Sequence, residues 1–216
     1  MVRRVQTRLM KGGTYIRAIQ MRTNTIATRV STTRGRNAEK LCRRCSLADE
    51  TLMHILQTCS ITQGMRCKRH NNVCKRVADK LRSKGHQVYP EQGIPSPGLQ
   101  TNISRPDLIA IKDDKALVLD VTCIYESNKN SLQEAYRRKM NRYKGLNEAI
   151  SKKYGVENVE FHGLCVGSRG AYDPRHLQVW QSLGFSKTEL VVLAVGVIED
   201  SLRTITLFNN ANKLRL

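Results

Sequence analysis

The residues best suited to chemistry lie between Ser104 and Tyr143. Asp107 follows Pro106, and Asp120 closes the apolar run Ala116-Leu117-Val118-Leu119. Both acids sit in short β-leaning runs separated by Lys112-Asp113-Asp114-Lys115, which has the composition of a turn. A hairpin over these runs brings the two carboxylates together at one end of a sheet. Carboxylates a few ångströms apart repel, so they need a cation or a shared proton. Hard oxygen ligands, followed by a Lys/Arg-rich helix, point to Mg²⁺ and a phosphodiester. The plainer reading is an ordinary hairpin with two unrelated surface acids, and the rest of the chain has to choose between them.

A second set of chemical groups precedes it. Cys42-x2-Cys45-x8-His54-x4-Cys59 supplies three thiols and one imidazole, a full tetrahedral set for zinc. Four protein ligands leave no place for water, so such a site is structural, and Zn²⁺ is expected to fold the segment. Leu52, Ile55 and Leu56 give it a small helical core. Chance clustering in a Cys-rich chain is the alternative, and a lone Cys-x2-Cys would have been weak.

The elements that must position these groups follow from periodicity. Tyr15–Met21 reads as a short helix with Ile16, Ile19 and Gln20 on one side, inside a basic stretch with no acid before Glu39. Thr23–Arg36, ending Thr33-Arg34-Gly35-Arg36, reads either as a disordered basic arm or as a phosphate-contacting segment. Residues 62–84 form a helix with Met65, Val73, Val77 and Leu81 on one stripe, stopped at Gly85. It carries the polar trio Arg69-His70-Asn71, assigned to nucleic-acid contact or to docking the zinc segment. His70 could also replace a zinc ligand, but that set is already full. Residues 86–103 are rich in Pro and Gly and read as a loop. Asn130–Lys153 reads as one helix with Ser131 as N-cap; Arg137, Arg138, Lys139, Arg142 and Lys144 make it basic, and one lysine can turn back to the acids. Val156–Ser168 reads as a strand, Pro174–Leu183 as a short helix with Trp180 in the core, and Lys187–Asn210 as a long helix.

The bulk numbers favour the metal reading. The chain has 216 residues and a formal net charge of +19, which implies a polyanionic partner. A ribosomal or membrane-surface protein fits the charge but gives Asp107, Asp120 and the zinc ligands no purpose. No run approaches the roughly 18 apolar residues of a spanning helix, so no membrane partner is expected. The N-terminus has positive charge without the apolar segment of a secretory signal. Seven cysteines, an odd and clustered number, suit metal ligation in a reducing compartment better than disulfides.

Taken in order, these pieces resemble the C-terminal part of the non-LTR retrotransposon polyproteins that insert site-specifically into arthropod ribosomal RNA genes. The matching pieces are Tyr15-Ile16-Arg17-Ala18-Ile19-Gln20, Thr33-Arg34-Gly35-Arg36, the Cys-Cys-His-Cys knuckle, Arg69-His70-Asn71, Arg105-Pro106-Asp107, Leu119-Asp120-Val121 and Lys139-x3-Tyr143. Their order and spacing carry the resemblance, over nearly the whole chain. It implies an α/β fold of the restriction-endonuclease-like PD-(D/E)xK type: a mixed sheet flanked by helices, preceded by a small zinc knuckle and a basic helical arm. The implied organisation is a basic arm over 1–40, a knuckle over 41–62 and a nuclease over 63–216.

In most such nucleases the lysine follows the second acid by two residues; here that position is Thr122, and the family places its lysine on the next helix, at Lys139. The implied roles are Asp107 and Asp120 for Mg²⁺, Lys139 as the third catalytic group, and Tyr143 as site support or packing. Arg34, Arg36, Arg69, His70 and Asn71 are implied nucleic-acid contacts. The expected function is a Mg²⁺-dependent endonuclease that nicks target DNA and leaves a 3′-hydroxyl to prime reverse transcription. The alternative is a non-catalytic knuckle fragment that positions element RNA or target DNA. Expected partners are double-stranded target DNA, element RNA and an upstream reverse-transcriptase domain, with synthesis in the cytoplasm and action in the nucleus. No polymerase carboxylate pair is present: Asp113-Asp114 lies in a Lys-flanked turn.

Overall fold

The hairpin predicted around the two acids is the centre of the sheet. Strand β4 (Leu108–Lys112) pairs antiparallel with β5 (Lys115–Ile124), with Lys112 opposite Lys115 across a tight turn. Asp113 takes a left-handed φ of 50° there, a conformation an Asp tolerates better than a branched residue. Asp114 accepts a hydrogen bond from the Glu157 N–H at 2.8 Å, so the turn acids do structural work. The edge strand β1 (Gln87–Pro90) pairs antiparallel with β4, and β6 (Asn158–Gly167) pairs parallel with β5, giving the order β1-β4-β5-β6. A two-stranded sheet of β2 (Ile94–Pro95) and β3 (Ile103–Ser104) adjoins it. The stretch expected to be a loop therefore contains strand at both ends; Pro90 and Pro95 are tolerated because their strands lie at edges.

The computed structural model describes residues 10–95, 103–143 and 145–211. The start of the basic arm, the Pro/Gly stretch 96–102 and Lys144 lie outside the described residues.

Eight α-helices are seen among the described residues. They are α1 (Gly12–Arg22), α2 (Arg29–Thr32), α3 (Leu52–Gln57), α4 (Gln63–Ser83), α5 (Ser131–Arg142), α6 (Asn147–Tyr154), α7 (Leu177–Ser182) and α8 (Lys187–Asn210). Helix α8 starts where the sequence provides a capping box: the Glu189 N–H donates to the Ser186 hydroxyl at 3.2 Å, and the Ser186 N–H donates to the Glu189 carboxylate at 2.8 Å. Helix α4 stops at Gly85, whose φ of +85° costs no Cβ clash.

Alternation on the sheet assigns its two faces. Leu108, Ala110, Leu117, Leu119 and Val121 pack against Val73, Val77 and Leu81 of α4, Trp180 of α7 and Leu190, Leu193 and Val197 of α8. Ile109, Ala116 and Val118 face the other way, onto Tyr143 and onto Leu146, Ile150 and Val156 around α6. Another surface of α8 (Val195, Ile198, Leu202, Ile205, Phe208) shares a core with Leu52, Ile55 and Leu56 of α3 and with Ala18 and Met21 of α1. A mixed sheet flanked by helices, with the zinc-ligand segment ahead of it in the chain, is consistent with a PD-(D/E)xK-like fold.

Two expectations are corrected, and a third is completed by the burial of α1. Asn130–Lys153 is two helices, because Gly145 (φ +101°) breaks the chain between α5 and α6 although the apolar spacing runs on through it. The N-cap of α5 is Asn130 with no side-chain capping bond, while the Ser131 hydroxyl accepts from the Asn128 N–H at 3.1 Å. In α1 the buried side is Ala18 and Met21, leaving Ile16 and Ile19 exposed.

Candidate active site and zinc-ligand cluster

The register of β4 and β5 sets Leu108 opposite Leu119, so the residues just outside that pair, Asp107 and Asp120, meet at one end of the hairpin. Asp107 Oδ2 accepts the Val121 N–H at 2.6 Å, which fixes the carboxylate against β5. Its other oxygen, Oδ1, lies 3.2 Å from His70 Nε2 on α4. Asp120 is only 4% exposed, and its Oδ1 accepts a hydrogen bond from Lys139 Nζ at 3.0 Å. Its Oδ2 is buried with no hydrogen-bond partner.

The two acids titrate apart. Burial, then the neighbouring Asp107, push Asp120 up to about 6, with Lys139 opposing. Burial also acts against the charge on Asp107, but hydrogen bonding with His70 and Asp120 and the Val121 N–H outweigh it and hold Asp107 below the ordinary carboxylate range. Below about pH 6 the pair thus holds one proton on the Asp120 side, while near neutral pH both carboxylates are largely ionised and repel. A cation would replace that proton and satisfy the orphan Asp120 oxygen, so the site fits a hard divalent ion.

Lys139 reaches the acids because α5 lies close on β6. Gly163 stands opposite Asp120 in the parallel register. A Cβ at Gly163 would lie 3.1 Å from Lys139 Cβ and 3.3 Å from Tyr136 Cδ2. Glycine here is a matter of close approach, which brings the lysine-bearing turn down onto the sheet. Thr122, two residues past Asp120 on β5, carries no amine, and Lys139 comes to Asp120 from α5 instead. Tyr143 is buried, and its hydroxyl donates to the Arg105 carbonyl at 3.3 Å, seating the segment that leads into Asp107. Burial raises its phenol well above the ordinary range.

Of the polar trio on α4, each residue has a different fate. Arg69 is 1% exposed. Its Nη1 donates to Ser201 Oγ of α8 at 2.9 Å and its Nη2 to the Leu56 carbonyl of α3 at 3.0 Å. Of the two readings given for the trio, nucleic-acid contact or docking, the implied role of Arg69 as a nucleic-acid contact does not fit its burial; between α3 and α8 it takes the docking role, as the bolt that holds the zinc-ligand segment. His70 joins the Asp107 site, and Asn71 is exposed. Arg34 and Arg36 are also exposed, beyond α2, and Arg34 lines a concavity with Lys40 and Tyr125.

Sequence reasoning missed a further grouping. Cys74, one helical turn after His70, places its Sγ 3.4 Å from His70 Nε2. One ligand atom each from His70, Cys74 and Asp107 lies within 4.8 Å of the others, so these residues can hold a metal ion. The i,i+4 His–Cys spacing on a predicted helix was the available signal.

Cys42, Cys45, His54 and Cys59 converge as expected within the same 4.8 Å limit. Cys42 Sγ lies 3.9 Å from Cys59 Sγ, and Cys45 Sγ 3.3 Å from His54 Nε2. His54 Nδ1 is hydrogen-bonded to Thr58 Oγ1 at 3.0 Å, which turns Nε2 to the thiols. Burial lowers the His54 pKa and favours the neutral imidazole that ligation requires. Fully buried Glu50 accepts the Arg29 and Arg43 N–H groups at 3.0 Å each, tying arm to knuckle. Arg44 donates to the Phe208 and Asn209 carbonyls at 2.7 Å, satisfying the end of α8.

No protein-family model matches the chain. Over 201 residues it is 31% identical to the Retrovirus-related Pol polyprotein from type-2 retrotransposable element R2DM of Drosophila melanogaster, covering 91% of this chain and 18% of that protein. It is 28% identical over 205 residues to the Pol polyprotein from type-1 retrotransposable element R2 of Bradysia coprophila, covering 93% and 23%. An R2 Pol polyprotein of Popillia japonica is 28% identical over 180 residues, covering 82% and 36%. The chain thus resembles R2-type non-LTR retrotransposon Pol polyproteins and spans about a fifth of the length of the first two.

Proposed function

We propose that this chain is the Mg²⁺-dependent DNA endonuclease portion of a non-LTR retrotransposon Pol polyprotein. It nicks target DNA, in ribosomal RNA genes, and leaves a 3′-hydroxyl that primes reverse transcription of element RNA by an upstream polymerase domain. The observation that carries the reading is the convergence of Asp107, Asp120 and Lys139 at one end of the β4–β5 hairpin, 3.0 Å separating the lysine from Asp120. The similarity to R2 polyproteins and the charge of +19 support it, because a phosphodiester backbone is the matching polyanion.

Asp107 and Asp120 hold the cation, and the orphan Oδ2 of Asp120 supplies an oxygen lacking any other partner. When bound, Mg²⁺ supplies Lewis-acid polarisation of the scissile phosphate and an acidified water. His70 and the Val121 N–H fix the orientation of Asp107. Lys139 keeps positive charge beside Asp120 and presents N–H donors where charge builds on the phosphoryl oxygens. Tyr143 keeps the Arg105–Asp107 segment seated. The Cys42, Cys45, His54 and Cys59 knuckle takes a structural Zn²⁺, and exposed Arg34 and Arg36 contact phosphates. The target DNA places the site of action in the nucleus.

The test is nicking of a ribosomal DNA duplex by the full chain, with Mg²⁺ and with EDTA, for wild type and Asp120→Ala. Cleavage by wild type alone, and only with Mg²⁺, is the expected result. Equal cleavage by Asp120→Ala would remove the assignment.

A further inference from the structure

The three groups on the α4 side of Asp107 do not have the chemistry of the Asp107–Asp120 pair. One is an imidazole, one a thiol and one a carboxylate oxygen. Their spacing is 3.2 Å from Asp107 Oδ1 to His70 Nε2 and 3.4 Å from that nitrogen to Cys74 Sγ. Around a tetrahedral zinc with bonds of about 2.0–2.3 Å, neighbouring ligand atoms sit roughly 3.3–3.8 Å apart. The knuckle in this same chain shows comparable separations, 3.3 and 3.9 Å. Three protein ligands leave a fourth position. It opens into a cleft of about 260 Å³ lined by His70, Cys74, Glu91 and Asp107, where water can complete the shell.

Magnesium is a poor occupant of such a set, because it prefers six oxygens and avoids thiolate, whereas zinc takes nitrogen, sulfur and oxygen together. Asp107 divides its oxygens between the two environments: Oδ2 faces β5 through the Val121 N–H, and Oδ1 faces His70. An ion bound by His70 and Cys74 draws on the same carboxylate that the paired-acid site needs.

We propose that His70, Cys74 and Asp107 form a second zinc-class site, distinct from the knuckle, and that filling it stops cleavage by engaging Asp107. The binding half stands on these distances alone; the inhibitory half rests on the nuclease reading above.

The full chain, its knuckle loaded with one equivalent of zinc, is titrated with Co²⁺ while thiolate-to-cobalt absorption is followed. Wild type and Cys67→Ser, which removes an exposed cysteine of the same helix, take up a second equivalent. Cys74→Ser binds it at least about tenfold more weakly. Cys74→Ala, which adds no polar group in this half-buried place, serves if the serine variant melts early. Uptake that ends with the knuckle in wild type, or a second equivalent unchanged in both Cys74 variants, overturns the site. Nicking in Mg²⁺ is then compared for each protein with and without a second equivalent of zinc. The ratio falls at least about tenfold for wild type and stays near one for the Cys74 variants. Equal inhibition of both overturns the coupling through Asp107. Second-site binding with no Mg²⁺-dependent nicking under any condition keeps the site and overturns both the nuclease reading and the inhibition.

Discussion

Replacing Arg69 with methionine separates a docking role from a nucleic-acid role. Two hydrogen bonds from the guanidinium join α4 to α3 and α8, at 3.0 and 2.9 Å. Bonds from a charged donor contribute roughly 1.5–3 kcal/mol each, so about 3–6 kcal/mol is at stake. Methionine fills a similar volume and removes the desolvation of a buried cation whose Nε has no partner, which brings the net loss to about 2–4 kcal/mol. For a chain of this size that lowers Tm by roughly 5–15 °C. The assay is thermal unfolding of the zinc-loaded chain, paired with duplex-DNA affinity at several salt concentrations. Arg34→Ala is the comparator: exposed Arg34 leaves Tm unchanged and reduces the log–log salt slope by about one. An Arg69→Met protein with unchanged Tm and the Arg34-type loss of salt slope would refute the argument.

Further predictions follow from the same geometry. Chelating the knuckle zinc lowers Tm by more than 10 °C, about the size of losing a few kcal/mol, because the knuckle shares its core with α8; unaltered melting in chelator would contradict this. Asp120 is raised from 3.8 to about 6 on folding, so the metal-free folded chain binds the extra proton more tightly. That contribution is fully present below about pH 4 and is lost as pH rises through 6; Asp120→Asn escapes the loss and gains about 1–3 kcal/mol over wild type at pH 7 but not at pH 4. Melting at both pH values without metal measures it, and a difference independent of pH counts against the shared-proton pair. Gly163→Val overpacks the α5–β6 contact by about 1–3 kcal/mol, moves Lys139 from Asp120 and cuts nicking at least about tenfold while DNA affinity holds. Full nicking by that variant would show that the lysine does not depend on the close approach.

The parts legible in sequence were those with local causes. The β4–β5 hairpin was written in two apolar runs around a Lys-Asp-Asp-Lys turn, and α8 in an apolar stripe over Lys187–Asn210. The zinc-ligand set was legible because all four ligands lie within eighteen residues. The break at Gly145 was not, since apolar spacing continues through Leu146 and Ile150 and nothing local shows that α6 turns to cover Ile109 and Val118. The pairing of His70 with Asp107 spans 37 positions and depends on how α4 lies on the sheet. The choice between nucleic-acid contact and docking for Arg69 stayed open for a similar reason. It sits among lysines and arginines on a basic helix, and only its packing against α3 and α8 buries it.

Arg69 and His70 are consecutive residues. One clamps the zinc-ligand segment and the other touches Asp107, so a single peptide unit of α4 connects that segment to the paired-acid site. No hinge separates them. On the proposed function, the pair acts as a ruler: the distance in base pairs from the edge of the protein's footprint to the nick is set by this helix and does not vary with the sequence at the cut. Lengthening the chain between the knuckle and α4 would then change whether the protein folds, and would leave the offset of the cut where it was.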